Sequence, residues 1–274
     1  KKIPTCENFN PLEAGCLLCR NAAFEEAIGE HPYVRVAEKT LFLDNPLHID
    51  KQGIAQHYGL CTDRIDLTSN FDVASFFATC KWDKEQNRFM PIKSSSKLGV
   101  IYRVLHVFMM KNTQTKEGES AFSFVGWQPL PRPEQQRACS LCMQKGEDFI
   151  HIPTVQRYYF QHDGAISERI WNEFEQGKTL FPEDKAAILA NKAETLMGFT
   201  RDQIDRAWSK LEFWNCMKYE DNTRYRIESR TSIELVKRSQ LDWEDVGLEK
   251  DQNYWLQKLK KNLTRVRFRK CHAG

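Results

Sequence analysis

The chain concentrates polar side chains of the catalytic and ligand-binding types in residues 56–78, where histidine, tyrosine, aspartate, threonine and serine alternate with apolar anchors. Within it, residues 64–69 alternate polar and apolar, so Asp66 and Thr68 share one face of a predicted strand. That polar face would end beside a helix N-terminus, which attracts anions. The stretch therefore predicts a ligand pocket. The residues leave open an alternative, in which His57 and Asp66 form a buried pair that only holds the turn.

Capping signals predict the elements around this strand. A helical pattern over residues 50–58 ends at Gly59, which fits the left-handed residue after a helix. Ser69 or Asn70 can cap the next helix. The apolar residues expected on the inner side of that helix are Val73, Ala74, Phe76 and Phe77. We therefore expect helix, turn, strand and helix in succession.

Elsewhere the patterns favour strands in the first part of the chain and helices in the second. Strands are expected at 15–20, 98–110 and 150–160, an exposed loop at 81–96, a polar connection at 113–120 and extended chain at 122–137. Helices are expected to start at 24–28 and to cover 166–174, 182–196 and 201–219, with a capping box from Thr200 to Gln203. One apolar stripe is expected on the last of these, formed by Ile204, Ala207, Trp208, Leu211 and Trp214. These patterns predict two regions, an α/β core over 1–165 and a helical region over 166–274.

Composition indicates an ordinary globular protein, with 41% apolar and 28% charged residues in 274. The longest apolar run, residues 104–110, is too short to cross a bilayer, and the first residues lack a signal-peptide core. We expect a cytoplasmic protein with no membrane partner.

The cysteines point to reduced thiols, because nine is an odd number and no secreted framework is evident. Cys16 and Cys19, and likewise Cys139 and Cys142, have metal-like spacing. On strands, however, residues three apart face opposite ways. No metal site is expected.

The C-terminal segment is basic. The formal net charge is +3, yet no acidic residue follows Asp251. Seven basic residues lie there: Lys258, Lys260, Lys261, Arg265, Arg267, Arg269 and Lys270. This tail could contact nucleic-acid phosphates or an acidic partner. It could equally be a solvated amphipathic helix, because apolar residues recur at helical spacing, namely Trp255, Leu256, Leu259 and Leu263.

Residues 56–60, Gln-His-Tyr-Gly-Leu, open a block that resembles the signature of the FRG domain family. Its later matching positions are Thr62, Asp66, Thr68, Asn70, Val73, Ala74, Phe77 and Ala78. Arg20 lies where the family has its first Arg-Gly motif, residues 132–136 resemble its third element, and residues 177–182 resemble a late turn. The resemblance covers about residues 15–185. This chain departs from the family at Asn21 for glycine, Cys61 for proline, Asp63 for arginine, Leu67 for tryptophan and Ala138 for glycine.

FRG-like chains in turn resemble the ADP-ribosyltransferase fold, an α+β fold with a split β-sheet core, here followed by a mainly helical C-terminal part. That fold presents an Arg or His, then a Ser, Thr or Tyr, then a Glu or Gln. In this chain Arg20, Thr68 with Ser69, and Glu134 with Gln136 reproduce this order. The resemblance implies that Arg20 binds the NAD pyrophosphate. Glu134 and Gln136, expected two apart on a strand, would point the same way and share catalysis.

The same resemblance implies further NAD contacts, with Thr68 or Ser69 ordering the ribose and His57 and Tyr58 contacting the nicotinamide. The implied activity is ADP-ribosyl transfer from NAD to a protein or nucleic acid, as in toxins and antiphage effectors. The rival interpretation is a non-catalytic module that binds a nucleotide or nucleic acid. Both require the three stretches to form one pocket.

Overall fold

The computed structural model describes residues 11–42, 45–46, 49–62, 64–105, 122–125, 130–142, 148–152, 154–213, 233–248 and 251–264. Its helices are α1 (Pro11–Glu30), α2 (Pro32–Glu38), α3 (Lys51–His57), α4 (Phe71–Thr79), α5 (Pro131–Gln135), α6 (Gly164–Glu173), α7 (Lys185–Glu194), α8 (Arg201–Phe213) and α9 (Gln252–Thr264). Its strands are β1 (Leu41–Phe42), β2 (Asn45–Pro46), β3 (Arg64–Thr68), β4 (Cys80–Asp83), β5 (Arg88–Pro91), β6 (Gly99–Val104), β7 (Phe122–Phe124), β8 (Ala138–Cys142), β9 (Val155–Phe160), β10 (Gly198–Phe199) and β11 (Glu234–Leu235). Short 3₁₀ turns lie at Phe149–His151, Glu175–Gly177 and Glu244–Val246.

This mixture of helices and small sheets confirms the α+β class. Contacts divide the chain into two units. Unit 1 contains Lys1–Arg64 and Asp184–Lys270, and unit 2 contains Ile65–Glu183. The division differs from the predicted boundary at residues 165 and 166, because the helical region after Asp184 joins the N-terminal residues in one unit. Unit 2 is thus inserted into the sequence of unit 1.

Unit 1 is organised around α1, which contacts α2, α3, α7 and α8. Residues 15–20, expected as a strand, lie inside this helix, so that prediction was wrong. The predicted helix start at 24–28 belongs to the same helix. Leu18 and Ala22 are buried four residues apart, the helical spacing, and Phe24 is fully buried. A short apolar run is compatible with both a strand and a helix. In this chain, packing against the surrounding helices favours the helix.

An aromatic cluster around His31 connects the end of α1 with α2 and α9. His31 caps α2, its Nδ1 accepting the N–H of Tyr33 at 3.1 Å. The rings of Trp243 and Trp255 meet the His31 ring edge-on, with centroids 4.7 and 4.9 Å away. Trp243 Nε1 also donates to the carbonyl of Ala27. His31 is therefore enclosed by aromatic rings, and only 2% of its surface is exposed.

The predicted capping box at the start of α8 is confirmed. The Thr200 N–H donates to Gln203 Oε1 at 3.0 Å, and the Gln203 N–H donates to Thr200 Oγ1 at 3.3 Å. The Gln203 Nε2 also donates to Glu26 Oε2 at 2.7 Å. The predicted stripe is buried over Ile204, Ala207, Trp208 and Leu211, and Trp214 lies outside the described residues.

The helix–turn–strand–helix succession predicted at 50–79 is confirmed. Helix α3 is followed by Gly59 at φ +91°, then by β3 and α4. Of the two candidate caps, Asn70 is used, and its Oδ1 accepts the N–H groups of Asp72 and Val73. Phe77, expected on the inner side of α4, is instead 42% exposed.

The core of unit 2 packs α4 against α6 and the β4–β5 hairpin. Its buried members are Val73, Phe76, Cys80, Trp171 and Leu180. The hairpin lies where an exposed loop was expected, and it pairs Cys80 with Pro91 and Asp83 with Arg88. The Trp171 Nε1 donates to the carbonyl of Phe89 at 2.8 Å, which holds the hairpin on α6.

A second sheet of unit 2 has the strand order β3–β8–β7. Extended chain was expected over 122–137; β7 confirms it for residues 122–124, whereas helix α5 shows it to be wrong for residues 131–135. Its prolines, Pro131 and Pro133, occupy the first turn, where backbone N–H groups have no helical partner to lose.

The remaining predicted elements overlap the expected ranges over the described residues. Strand β6 covers part of 98–110, strand β9 part of 150–160, and helices α6, α7 and α8 lie within or beside their predicted ranges. Residues 106–121, which include the predicted polar connection, are outside the described residues. Among the helices described, none has the length and apolar composition that crossing a bilayer requires.

Candidate functional site

The second and third predicted motifs meet where β3 ends against the turn between α5 and β8. Thr68 Oγ1 donates to the carbonyl of Gln136 at 2.8 Å, and the Ser69 N–H donates to the carbonyl of Arg137 at 3.0 Å. Arg137 has φ +49°, a left-handed conformation uncommon for a residue with a side chain. We call this arrangement of Thr68, Ser69, Gln136 and Arg137 the β3–α5 corner. Two consecutive residues of one segment thus bond to the backbone carbonyls of two consecutive residues of the other.

The amide of Gln136 is buried in this corner, with 4% of the residue exposed. Its Nε2 donates to the carbonyl of Leu180 at 3.0 Å. The backbone N–H of Gln136 also closes the last turn of α5 on Arg132. Gln136 therefore connects the corner with the core segment at Leu180, and its amide faces protein.

Glu134 is placed differently from Gln136. Since the two lie at the end of a helix rather than on a strand, their side chains do not point the same way, and that expectation was wrong. Glu134 is exposed, and its backbone carbonyl accepts the N–H of Arg137. The guanidinium of Arg132 lies over the Phe181 ring, 5.5 Å from its centroid. Of the two candidates, Glu134 has the carboxylate that a solvent-borne substrate can reach.

Arg20 lies on α1 in unit 1, half-buried. Its Nε donates to the carbonyl of Leu196 at 3.1 Å, and Nη2 approaches Met197 Sδ at 3.5 Å. A guanidinium has five N–H donors, so these contacts occupy two of them. Arg20 therefore connects α1 with the segment after α7, and three of its five N–H donors are not used in these contacts.

His57 and Tyr58 lie buried in unit 1 at the end of α3. The Tyr58 hydroxyl donates to Asp184 Oδ2 at 2.8 Å, and its ring centroid is 6.0 Å from that of Phe24. Asp66, by contrast, is exposed on β3, so burial, which that alternative expects of both residues, is found for His57 alone. Tyr58 has the environment of a core residue rather than of a stacking platform.

The structure thus brings together Thr68, Ser69 and Gln136, with Glu134 two residues away on α5, inside unit 2. Arg20, His57 and Tyr58 belong to unit 1.

Several polar contacts of unit 1 were missed by sequence reasoning. Arg64 forms an ion pair with Asp50 at 3.2 Å, with both side chains less than a tenth exposed. Asn21, which replaces the glycine of the FRG pattern, donates from Nδ2 to the carbonyl of Cys61, which replaces the family's proline. Two departures from the family pattern are therefore in direct contact. A glycine at position 21 could not make this bond.

The cysteine pairs lie on different kinds of element. Cys16 and Cys19 are on α1, where residues three apart share a face, and Cys139 and Cys142 are on β8. All four are reduced thiols. Within the described part of the chain, no group of three or more metal-binding side chains is gathered. Burial raises the pKa of the Cys16 thiol, against a smaller opposing effect of the Arg20 charge.

The basic C-terminal segment is an amphipathic helix as far as it is described. In α9, Trp255 and Leu259 are buried, and Lys258 Nζ lies 4.9 Å from the centroid of the Trp255 ring. The basic residues at 265–270 are outside the described residues.

Gln136→Leu is expected to destabilise the protein by about 2 kcal/mol, because the carbonyl of Leu180 loses its buried donor. Urea unfolding followed by tryptophan fluorescence measures this change. The matched control is Gln135→Leu, on the exposed neighbouring residue, which should stay within about 0.5 kcal/mol of the unaltered protein. Equal effects of the two changes would contradict a bridging role for Gln136.

Comparison with protein-family models, with curated proteins and with solved structures found no significant match.

Proposed function

We propose that the protein transfers ADP-ribose from NAD to a macromolecular acceptor, using an ADP-ribosyltransferase-like split sheet with FRG-type motifs. The observation that carries the proposal is the β3–α5 corner. Two hydrogen bonds join Thr68 and Ser69 to Gln136 and Arg137, which are 68 residues further along the chain. The resemblance requires its second and third motifs to adjoin, and this contact supports that requirement.

The exposed carboxylate of Glu134 and the buried amide of Gln136 take different roles. In the transfer, the bond between nicotinamide and C1′ of its ribose breaks, a new bond forms between C1′ and the acceptor nucleophile, and nicotinamide leaves. Glu134, exposed and anionic, would bind the ribose 2′-hydroxyl and stabilise the positive charge that develops at C1′. It would also receive the acceptor's proton. Gln136, whose amide is directed at Leu180, would hold the corner in place.

The resemblance gives the pyrophosphate contact to Arg20, which belongs to unit 1. Its remaining donors suit a bidentate bond to phosphate oxygens, and its contacts to Leu196 and Met197 would keep the guanidinium oriented.

Glu134→Gln is expected to lower nicotinamide release from NAD at least tenfold, because an amide cannot neutralise the developing charge. Turnover is measured by chromatography of nicotinamide, and acceptor labelling by mass spectrometry with candidate proteins and oligonucleotides. Since Glu134 is exposed, the melting temperature should not change. Glu168→Gln, at another exposed helical carboxylate, is the matched control. Unaltered release by the Glu134 variant would refute the assignment.

The second candidate is a nucleotide-binding module without turnover. In this candidate Arg20 and Gln136 would serve structurally, through their bonds to Leu196 and Leu180, and no group would act on the bound nucleotide. Calorimetry with NAD distinguishes the two candidates. Binding with no nicotinamide released would support the module, whereas release that depends on Glu134 supports the transferase.

A further inference from the structure

Strands β6 and β9 form an antiparallel ribbon whose twelve residues include no acidic side chain. The ribbon is a sheet of two strands among the described residues, with Tyr102 opposite Arg157 and Val100 opposite Tyr159. Arg103 lies beside Tyr102 on β6 and points to the opposite face. A surface of this composition favours a polyanion over a basic partner.

Two tyrosines and an arginine share one face of this ribbon. Directly opposite residues lie on the same face, and so do residues two apart on one strand. Tyr102, Arg157 and Tyr159 therefore form one surface, which we call the tyrosine face. Tyr102 and Tyr159 are diagonal neighbours, about 7–8 Å apart. Tyr159 is 61% exposed and Tyr102 is 37% exposed.

Neighbouring groups orient this face. The Tyr102 ring meets the Phe149 ring edge-on, with centroids 5.5 Å apart, and Arg157 Nη2 donates to the carbonyl of Ile150. Arg157 keeps further donors after that bond. The acidic side chain of the adjoining 3₁₀ turn, Asp148, is paired with His151 at 3.2 Å. The Tyr102 ring is thus held in place on a surface that also carries the Arg157 cation.

We propose that the tyrosine face binds single-stranded nucleic acid, with two unpaired bases on Tyr102 and Tyr159 and a phosphate on Arg157. Every base has a π face, so aromatic rings beside a cation bind single strands with little sequence preference. A phosphate ion as ligand would account for the arginine but not for the exposed tyrosine rings. An apolar protein partner would account for the rings but not for the arginine. This inference does not depend on the transferase proposal, since it uses none of the residues assigned there.

Fluorescence anisotropy with the full chain and fluorescein-labelled dT20 tests the inference. Tyr159→Ala should weaken binding about tenfold, while Tyr159→Phe, which keeps the ring, should retain it. Tyr254→Ala, at a tyrosine 49% exposed on α9, is the matched control and should bind as the unaltered protein does. Arg157→Gln should lower the salt dependence, reducing the slope of log K against log salt by about 0.7.

The outcomes separate the possible occupants. Absence of dT20 binding at low salt, or equal affinity of the Tyr159→Ala variant, overturns the proposal. Equal competition by inorganic polyphosphate would show attraction by charge alone and overturns the stacking role. Self-association that disappears in Tyr159→Ala, with no dT20 binding, would assign the face to a second copy of this chain. Absence of nicotinamide release by the unaltered protein, with dT20 binding intact, would refute only the transferase proposal.

Discussion

Phe76→Ala is expected to lower the free energy of unfolding by about 3–5 kcal/mol, the range for emptying a phenylalanine site in a packed core. Phe76 is fully buried on α4, and its ring centroid lies 5.5 Å from those of both Phe89 and Phe174. Its ring tip also rests against Gly177, where an added Cβ would lie only 3.1 Å away. Because these neighbours come from separate elements, the cavity cannot close by moving one of them.

Urea unfolding measures this loss, and the same helix offers the control. Phe71 stands five residues earlier on α4 and is 71% exposed, so Phe71→Ala removes an equal volume from the surface. That change should cost less than about 1 kcal/mol. A difference of less than about 1 kcal/mol between the two variants would contradict the packing described here.

Acid is expected to destabilise the protein through His31. Burial, with a smaller contribution from the charge of Lys258, lowers the pKa of His31 from 6.5 to about 3. The unfolded chain takes up a proton near its ordinary pKa of 6.5, whereas the folded chain does so only near 3. The stability contributed by neutral His31 is therefore complete above pH 6.5 and is lost as the pH falls toward 3. Between pH 7.5 and pH 4 the loss amounts to about 3 kcal/mol.

His31→Asn isolates this contribution, because asparagine does not titrate and can still cap α2. Unfolding in urea at pH 7.5, 5 and 4 should show a smaller decline for the variant than for the unaltered protein. His151→Asn, at a histidine whose side chain is 76% exposed, should decline as the unaltered protein does. Parallel declines in all three proteins would exclude His31 as the acid-sensitive group.

Helix ends were predicted well from local sequence signals. Gly59 takes the left-handed conformation, Asn70 caps α4, and Thr200 and Gln203 cap α8. Each of these features depends on backbone groups only a few residues away. The errors lie where distant packing decides. Residues 16–19 are apolar in either a strand or a helix, and only contact with α7 and α8 makes them helical.

The sequence indicated which residues form the candidate site better than it indicated how their side chains are oriented. Motif order indicated Thr68, Ser69, Glu134 and Gln136, and the β3–α5 corner joins three of these positions. The orientation of the last two depended on whether Pro131 and Pro133 begin a helix or prevent one. Nothing in the spacing could show that Leu180 accepts the Gln136 amide, because that partner lies 44 residues away.

The inserted position of unit 2 sets an order for folding during synthesis. Ile65–Glu183 is continuous and can fold as soon as it leaves the ribosome, whereas Arg64 and Asp184 are separated by that entire stretch. Helix α1 is made before unit 2, yet its apolar faces are covered only once α7 and α8 have also been made. The hydrogen bond from Tyr58 to Asp184, both in unit 1, can form only after residues 65–183 have been made. Nascent chains halted before residue 184 would consequently expose the apolar surface of α1, a substrate for chaperones.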